Sequence, residues 1–125
     1  MSYKYSFEKL DVWQDARLFV KEIYTITKLF PSEERYNLCS QIQRASISIV
    51  SNIAEGLSRN SDKEKIRFIE IAYGSLMEVY CQVYISVDLL YITAQQFDEL
   101  KSSIDKIANK LNALNRSIAH RSTND

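Results

Sequence analysis

The sequence contains only one proline and two glycines among 125 residues. Both residue types interrupt regular structure, so their scarcity leaves little room for hairpins and favours long helices. No run of about 18 apolar residues occurs, which excludes a transmembrane helix, and the first residues lack the apolar region of a secretion signal. A chain of this length fits one core, so we expect a single-domain, cytoplasmic protein without a membrane partner.

An excess of charge of one sign is also missing, because 16 basic residues balance 16 acidic ones. The compositional argument for nucleic acid binding is therefore absent, although a local basic patch remains compatible with it. Cys39 and Cys81 follow no metal or redox spacing, and we expect two buried, reduced thiols.

Catalytic signatures are missing as well. His120 is the only histidine, which leaves a serine or cysteine nucleophile without a base. There is no cluster of zinc ligands and no glycine-rich phosphate loop. Glu55, Glu70 and Glu78 could supply acid or base groups, but pairing with nearby arginines is the better interpretation. The sequence thus predicts a protein that is not an enzyme and has no catalytic residues, cofactor or metal.

What is present is a regular helical pattern. Apolar residues recur at alternating steps of three and four, the spacing of helices packed in a bundle. The predicted helices cover residues 12–29, 31–56, 62–92 and 94–119, with short connections. Predicted N-terminal caps are Asp11 with Gln14, Ser61 with Glu64 and Thr93 with Gln96. We therefore predict an all-α fold, an antiparallel up-down-up-down four-helix bundle over residues 11–119.

The two ends of the chain are predicted to lie outside the bundle. In the N-terminal arm, residues 1–10, Tyr3, Tyr5 and Phe7 alternate with polar residues, as in an extended segment. The arm is either frayed or laid along its own bundle or a neighbouring subunit, and its three aromatic residues favour docking. Residues 120–125 are polar and are expected to be a disordered tail.

The stretch from Gln41 to Arg67 connects the second and third helices. Gly56 is expected to be a left-handed C-cap, after which Ser61 starts the next helix at once. Asn52 falls in the predicted core seam of the second helix, with Leu38, Ile42, Ala45 and Ile49. It is either a ligand contact or, more in keeping with bundles, a polar group that fixes helix register.

A second apolar stripe of this helix is predicted to face away from the core seam, because residues two apart on a helix differ by about 200°. Such a stripe would be left in water in a monomer, which marks a contact between copies of the chain. The predicted oligomer interface consists of Ile47, Val50, Ala54, Leu57, Phe68 and Ile71.

Basic residues gather near the corner and in the fourth helix. The candidate nucleic-acid-binding residues are Arg44, Arg59, Lys63, Arg67, Lys106 and Lys110. An ordinary solvated helix face is the alternative interpretation. Copies brought together in a ring would strengthen a weak positive field. Gly74, in the middle of the third helix, suggests a close approach by another helix.

Five motifs occur in order along the chain: FEKLDVWQDA at 7–16, FPSEERYNL at 30–38, QIQRA at 41–45, SIVSNIAEG at 48–56 and FIEIAYGSLME at 68–78. This series resembles the bacterial four helix bundle protein family, also known as the 23S rRNA intervening-sequence protein family. The resemblance extends from Phe7 to about Ile118. Its most specific parts are the Asn52–Gly56 motif and the Gly-Ser-Leu-x-Glu run that begins at Gly74.

The resemblance implies a bundle that assembles into a ring, with a pentamer as the expected form. Genes of the family can lie inside insertions in large-subunit rRNA, and its members have no established enzymatic activity. A related group, the accessory proteins of diversity-generating retroelements, forms basic pentameric barrels that bind nucleic acid and a reverse transcriptase. The neutral charge of this chain departs from that group. Signature positions carried over by the resemblance are Arg44, Asn52, Glu55, Gly56, Arg59, Gly74, Ser75 and Glu78.

Two functional hypotheses follow from the sequence. The first is a ring-forming accessory or scaffold protein associated with RNA or a nucleoprotein. The second is an assembly module that binds another protein and no nucleic acid.

Overall fold

The computed structural model of the protein describes residues 4–124, with the side chains of residues 4–121. Helices α1 to α4 span Asp11–Thr27, Leu38–Leu57, Asp62–Asp88 and Ala94–Asn124, and short 3-10 helices occupy Ser6–Lys9 and Ser32–Glu34. No strand occurs within 4–124, so the all-α prediction is confirmed. In the same range, no helix has the combination of length and apolar character needed to cross a membrane.

Consecutive helices run in opposite directions. Ser48 and Ser75 hydroxyls lie 2.9 Å apart, whereas Gly56, later in α2, faces Phe68, earlier in α3. Each helix packs against the next, and α1 also contacts α4. This closes the antiparallel up-down-up-down four-helix bundle that the sequence predicts.

The core lies between the four helices and is almost entirely apolar. Its largest fully buried side chains are Phe19, Ile23, Ile42, Ile49, Ile53, Ile69, Leu76, Val79, Val83, Ile104, Ile107 and Leu111. The core seam that the spacing predicts for α4 is confirmed, since each of its residues is buried or packs against this core: Phe97, Leu100, Ile104, Ile107, Leu111, Leu114 and Ile118.

Most of the residues that the spacing predicts for the core seams of α1 and α2 are buried or pack against the core, and the exceptions are Val20 and Asn52. The predicted seams are Trp13, Ala16, Val20, Ile23, Thr27 and Phe30 in α1, and Leu38, Ile42, Ala45, Ile49 and Asn52 in α2. Some buried residues lie outside these predicted seams. Val12 and Phe19 are buried, whereas the neighbouring Trp13 is only partly buried. In α2, Ile53 is fully buried and Asn52 is not. Neighbouring residues differ by only about 100° around a helix. The spacing alone therefore does not decide which of two adjacent residues faces the core.

The N-terminal caps agree only in part with the predictions. Ser61 accepts a hydrogen bond from the Glu64 amide at 3.1 Å, and Thr93 and Gln96 form a complete capping box. Asp11 is not the cap of α1, because the helix starts at Asp11 itself. Gln14 instead donates to the backbone oxygen of Glu8 at 3.0 Å.

The N-terminal arm packs on its own bundle, which is one of the alternatives that the sequence favoured, but its local conformation differs from the prediction. Ser6–Lys9 forms a 3-10 helix, not an extended segment, and this helix contacts α1 and α2 of its own bundle. Phe7 packs edge-on against Trp13, with ring centroids 5.0 Å apart. Tyr3 lies outside the described residues.

At the other end, helix α4 continues through Asn124. Residues 120–124, which the sequence analysis assigns to a disordered tail, belong to this helix, while Asp125 lies outside the described range. The Arg121 guanidinium donates two hydrogen bonds to Asp62 at 2.7 and 3.2 Å, which ties this last part of α4 to the start of α3.

Helix α3 ends earlier than predicted, and Leu90 is not a core residue. The helix stops at Asp88, and Leu90 has a left-handed backbone with φ of 64°. The amides of Leu90 and Tyr91 donate to the carbonyls of Val87 and Ser86, the pattern of a Schellman motif in which glycine is the usual residue. The Leu90 side chain is 88% exposed.

Leu90→Gly should raise the free energy of unfolding by about 0.5–1 kcal/mol. Relief of the left-handed strain contributes about 1–2 kcal/mol, and the greater freedom of an unfolded glycine subtracts about 0.5–1 kcal/mol. Urea denaturation followed by circular dichroism measures the change. Leu89→Gly is the control, because Leu89 has φ of −83° and should lose stability. Equal effects of the two variants would contradict strain at Leu90.

Candidate nucleic-acid interface at the corner between α2 and α3

Gly56 is a helical residue and not the left-handed cap that the sequence suggested. Helix α2 runs through it to Leu57, Ser58 is right-handed, and neither glycine of the chain has a positive φ. A Cβ atom on Gly56 would lie only 2.7 Å from the Cβ of Phe68. The glycine is therefore needed because α3 passes so close to α2 at this point.

Two arginines lie close to the ring of Phe68, the residue that packs against Gly56. The Arg59 guanidinium carbon lies 4.8 Å from the ring centroid of Phe68, and that of Arg67 lies 5.9 Å from it. Arg59 is held by an ion pair of 2.8 Å with Glu55. Arg67 is held more loosely, at 3.7 Å from Glu64. The signature residues Glu55, Gly56 and Arg59 thus converge on one aromatic ring.

Further cations lie at the same end of α2 and α3. Residues 55–67 include Lys63, which is exposed, and Lys65, which donates to the backbone oxygen of Arg59. Arg121 joins them through Asp62, and its hydrogen bonds lower the pKa of that carboxyl. The N-terminal end of α3 adds its positive dipole. Five basic side chains and three acidic ones lie here: Arg59, Lys63, Lys65, Arg67 and Arg121, with Glu55, Asp62 and Glu64.

The other candidate cations lie elsewhere. Lys110 and Lys106 both contact Asp15, at 2.6 and 3.5 Å, so they link α4 to α1. The hydrogen bond with Asp15 raises the pKa of Lys110. Arg44 is exposed on α2, about 20 Å along the helix from its C-terminal end. The structure therefore brings together Arg59, Lys63 and Arg67 but not the whole predicted set.

Asn52 stabilises the contact between α2 and α3. Its amide donates to the backbone oxygen and the hydroxyl of Ser48, at 2.8 and 3.0 Å. The Ser48 hydroxyl in turn meets that of Ser75 across the two helices. Both signature residues, Asn52 and Ser75, therefore take part in a hydrogen-bonded link between helices, which is the structural interpretation of Asn52.

Gln82 is a buried polar residue that the sequence pattern did not reveal. It is 6% exposed, its amide nitrogen lies 3.3 Å from a Glu78 oxygen, and its own oxygen has no partner among the described residues. A single glutamine in a helix where polar and apolar residues alternate gives no sequence signal that its side chain is buried. Its burial follows from the packing of α3 within the bundle.

The predicted oligomer interface is only partly exposed. Ile47 and Ile71 are 42% and 40% exposed, whereas Val50 and Leu57 pack against the core of their own bundle. Ala54 and Phe68 are partly buried. The second stripe of α2 therefore borders the core face and does not lie opposite to it, because Val50 and Leu57 are each only one position from a buried residue.

Gly74 makes no close approach within the chain. It is exposed, and a Cβ atom there would have no neighbour within 4 Å. The predicted tight helix contact at Gly74 is thus absent from the protomer. The close approach occurs at the other glycine, Gly56.

The cysteines also differ from expectation in one respect. Cys39 is buried, its thiol lies 3.7 Å from the Thr27 carbonyl, and burial raises the pKa of the thiol. Cys81 is exposed, not buried. Across residues 4–124, no three or more His, Cys, Asp or Glu side chains cluster in a way that could hold a metal ion.

Comparison with known proteins identifies the family. The sequence model of the 23S rRNA-intervening sequence protein family matches residues 8–113. The chain belongs to this family. A crystal structure of a protein of unknown function from the S23 ribosomal protein family of Bacteroides thetaiotaomicron has a similar fold, with a TM-score of 0.78 and 23% identity. That similarity covers 84% of this chain and 95% of the other. No curated protein matches.

The two glycines of this family member should respond oppositely to alanine. Gly56→Ala should lower the free energy of unfolding by about 1–3 kcal/mol, because the new methyl group overlaps Phe68. Gly74→Ala, the matched control, should raise it by about 1 kcal/mol, because its site is open and alanine favours helix. Thermal and urea unfolding measure both. A stabilising Gly56→Ala would contradict the close approach of α2 and α3.

Proposed function

We propose that the protein is a ring-forming scaffold without enzymatic activity that associates with RNA or a nucleoprotein through the corner between α2 and α3. The observation that carries this proposal is the cluster of basic side chains around Phe68. Membership of a family named for an intervening sequence of 23S rRNA agrees with RNA as the partner.

The corner can bind phosphates although the whole chain is neutral. Lys63 and Arg67 are exposed, so their charges can reach a phosphate backbone without breaking a buried contact. Each such contact releases counterions, which contributes to affinity independently of sequence. The corner has five basic and three acidic side chains, so its local charge is positive although the net charge of the chain is zero.

Ring assembly would place several corners side by side. We assign the contact between copies to Ile47 and Ile71, the exposed residues of the predicted oligomer interface, and not to Phe68 of that set, which lies at the proposed RNA corner. Burial of exposed aliphatic side chains is a common basis of association. A pentamer is the form that the family resemblance implies. A ring would multiply weak phosphate contacts, because linked sites bind with high effective concentration.

The alternative function, a module that binds another protein and no nucleic acid, is favoured by the opposite end of the bundle. Leu29, Leu89 and Leu90 are 59%, 48% and 88% exposed there. Exposed apolar groups of this kind suit a protein contact better than a phosphate backbone.

Binding of structured RNA should weaken as salt increases, and the double variant Lys63→Gln with Arg67→Gln should bind several-fold more weakly. The slope of log affinity against log salt should fall by about 1–2, because two phosphate contacts are lost. Fluorescence anisotropy with a labelled RNA hairpin measures both quantities. Lys21→Gln with Lys106→Gln is the control with the same change of charge on α1 and α4. Affinity that does not depend on salt would contradict the proposal.

Assembly should depend on the exposed aliphatic residues of α2 and α3. The double variant Ile47→Asp with Ile71→Asp should reduce the mass measured by light scattering to that of the monomer, because the buried interface would contain unpaired carboxylates. Its helical circular dichroism should remain unchanged. Leu18→Asp on α1, where Leu18 is 55% exposed, is the control that should keep the wild-type mass. A wild-type monomer at micromolar concentration would refute the ring.

A further inference from the structure

We infer that the corner binds unpaired bases of RNA, with one base stacked on Phe68 and its phosphates on Arg67 and Lys63. This inference rests on the proposed association with RNA and names the form of RNA that the site accepts. It also gives a role to the signature residues Glu55, Gly56 and Arg59, which position the stack.

The position of the Phe68 ring and of Arg59 beside it is fixed by residues of α2. Because Gly56 has no side chain, α3 can approach α2 so closely that the Cβ of Phe68 lies within 2.7 Å of the position a Cβ on residue 56 would take. This fixes the ring at the edge of the bundle, where it is only partly buried. Glu55 then holds Arg59 against one side of the ring, through a 2.8 Å ion pair one helical turn away.

The second arginine is the group that a base can replace. Arg67 lies farther from the ring centroid than Arg59, at 5.9 Å against 4.8 Å. Its side chain is 68% exposed, and its ion pair with Glu64 is long, at 3.7 Å. Such an exposed pair contributes little to stability, so the guanidinium can leave the ring and contact a phosphate at low cost.

This combination of groups favours unpaired RNA over a duplex. Aromatic rings and guanidinium planes stack on bases that are splayed out of a helix, and cations nearby hold the backbone. Bases within a duplex are already stacked on each other and cannot reach a single ring. A duplex would contact only the cations of the corner, and its affinity would not depend on the ring.

The other exposed aromatic cluster lacks these features. Tyr84 and Phe97 are in contact, with ring centroids 4.7 Å apart, and the cation beside them, Lys101, lies 6.0 Å from the centroid of the neighbouring Tyr80. Phe97 therefore offers a control ring that is partly buried between α3 and α4 and, among the described residues, has no arginine over it.

Phe68→Leu tests the inference. Anisotropy is measured with a labelled single-stranded RNA of about a dozen nucleotides and with the duplex formed from it. The variant should bind the single strand about tenfold more weakly, as expected for loss of one stacked base. Its duplex affinity should stay within twofold, and its salt dependence should not change, because the cations remain.

Phe97→Leu should bind both RNAs as the wild type does, and thermal unfolding should show that each variant is folded at the assay temperature. Equal weakening of both RNAs by Phe68→Leu, or no weakening, would overturn the stacked base while leaving the association with RNA intact. Failure of the wild type to bind either RNA in a salt-dependent way would instead overturn the proposed function itself.

Discussion

The contact between Gly56 and Phe68 is the constraint on which the corner of this bundle depends. A side chain at position 56 would overlap Phe68 by more than any ordinary contact allows, since the two Cβ atoms would be 2.7 Å apart. The absence of a side chain therefore sets the distance between α2 and α3 at their shared end. That distance in turn decides where Phe68 lies and which arginines can reach its ring. Backbone packing and surface chemistry are connected through this one residue.

The same pair of helices is joined farther along by polar groups. The link from Asn52 through Ser48 to Ser75 uses short side chains that let the helices stay close. Hydrogen bonds between partly buried hydroxyl and amide groups specify one register, because a shift along the helix would leave them unpaired. The signature positions of α2 therefore have two physical tasks. Asn52 fixes the register, whereas Glu55 and Gly56 position the groups at the exposed end.

The sequence could predict the helices but not all of their buried faces. The period of apolar residues determines that a segment is helical, and it located the seam of α4 because only one face of that helix is apolar. In α2 the apolar residues extend over more than one face, so Asn52 and Ile53 were both compatible with the core. Packing against α1 and α3 selects Ile53, and no property of α2 alone contains that information.

The end of α3 shows the same limit for the backbone. Leu90 continued the apolar period, and only glycine or asparagine would have indicated a left-handed residue there. The structure nevertheless ends the helix at Asp88, because Tyr91 is held by Phe30 and by a 2.7 Å hydrogen bond to Glu34 on the opposite loop. These contacts between distant parts of the chain outweigh a local preference.

For the candidate site, the identity of the basic residues was readable from the sequence, but their grouping was not. Lys106 and Lys110 are as basic as Lys63, yet both are used to join α4 to α1 through Asp15. A lysine paired with a carboxylate attracts a phosphate only weakly, because the neighbouring negative charge cancels most of its electrostatic potential. At the corner, Lys63 and Arg67 are exposed, and the ion pair of Arg67 is long, at 3.7 Å. A neutral chain can therefore present a basic corner because its charges are unevenly distributed over the fold, with five basic and three acidic side chains at this end of α2 and α3.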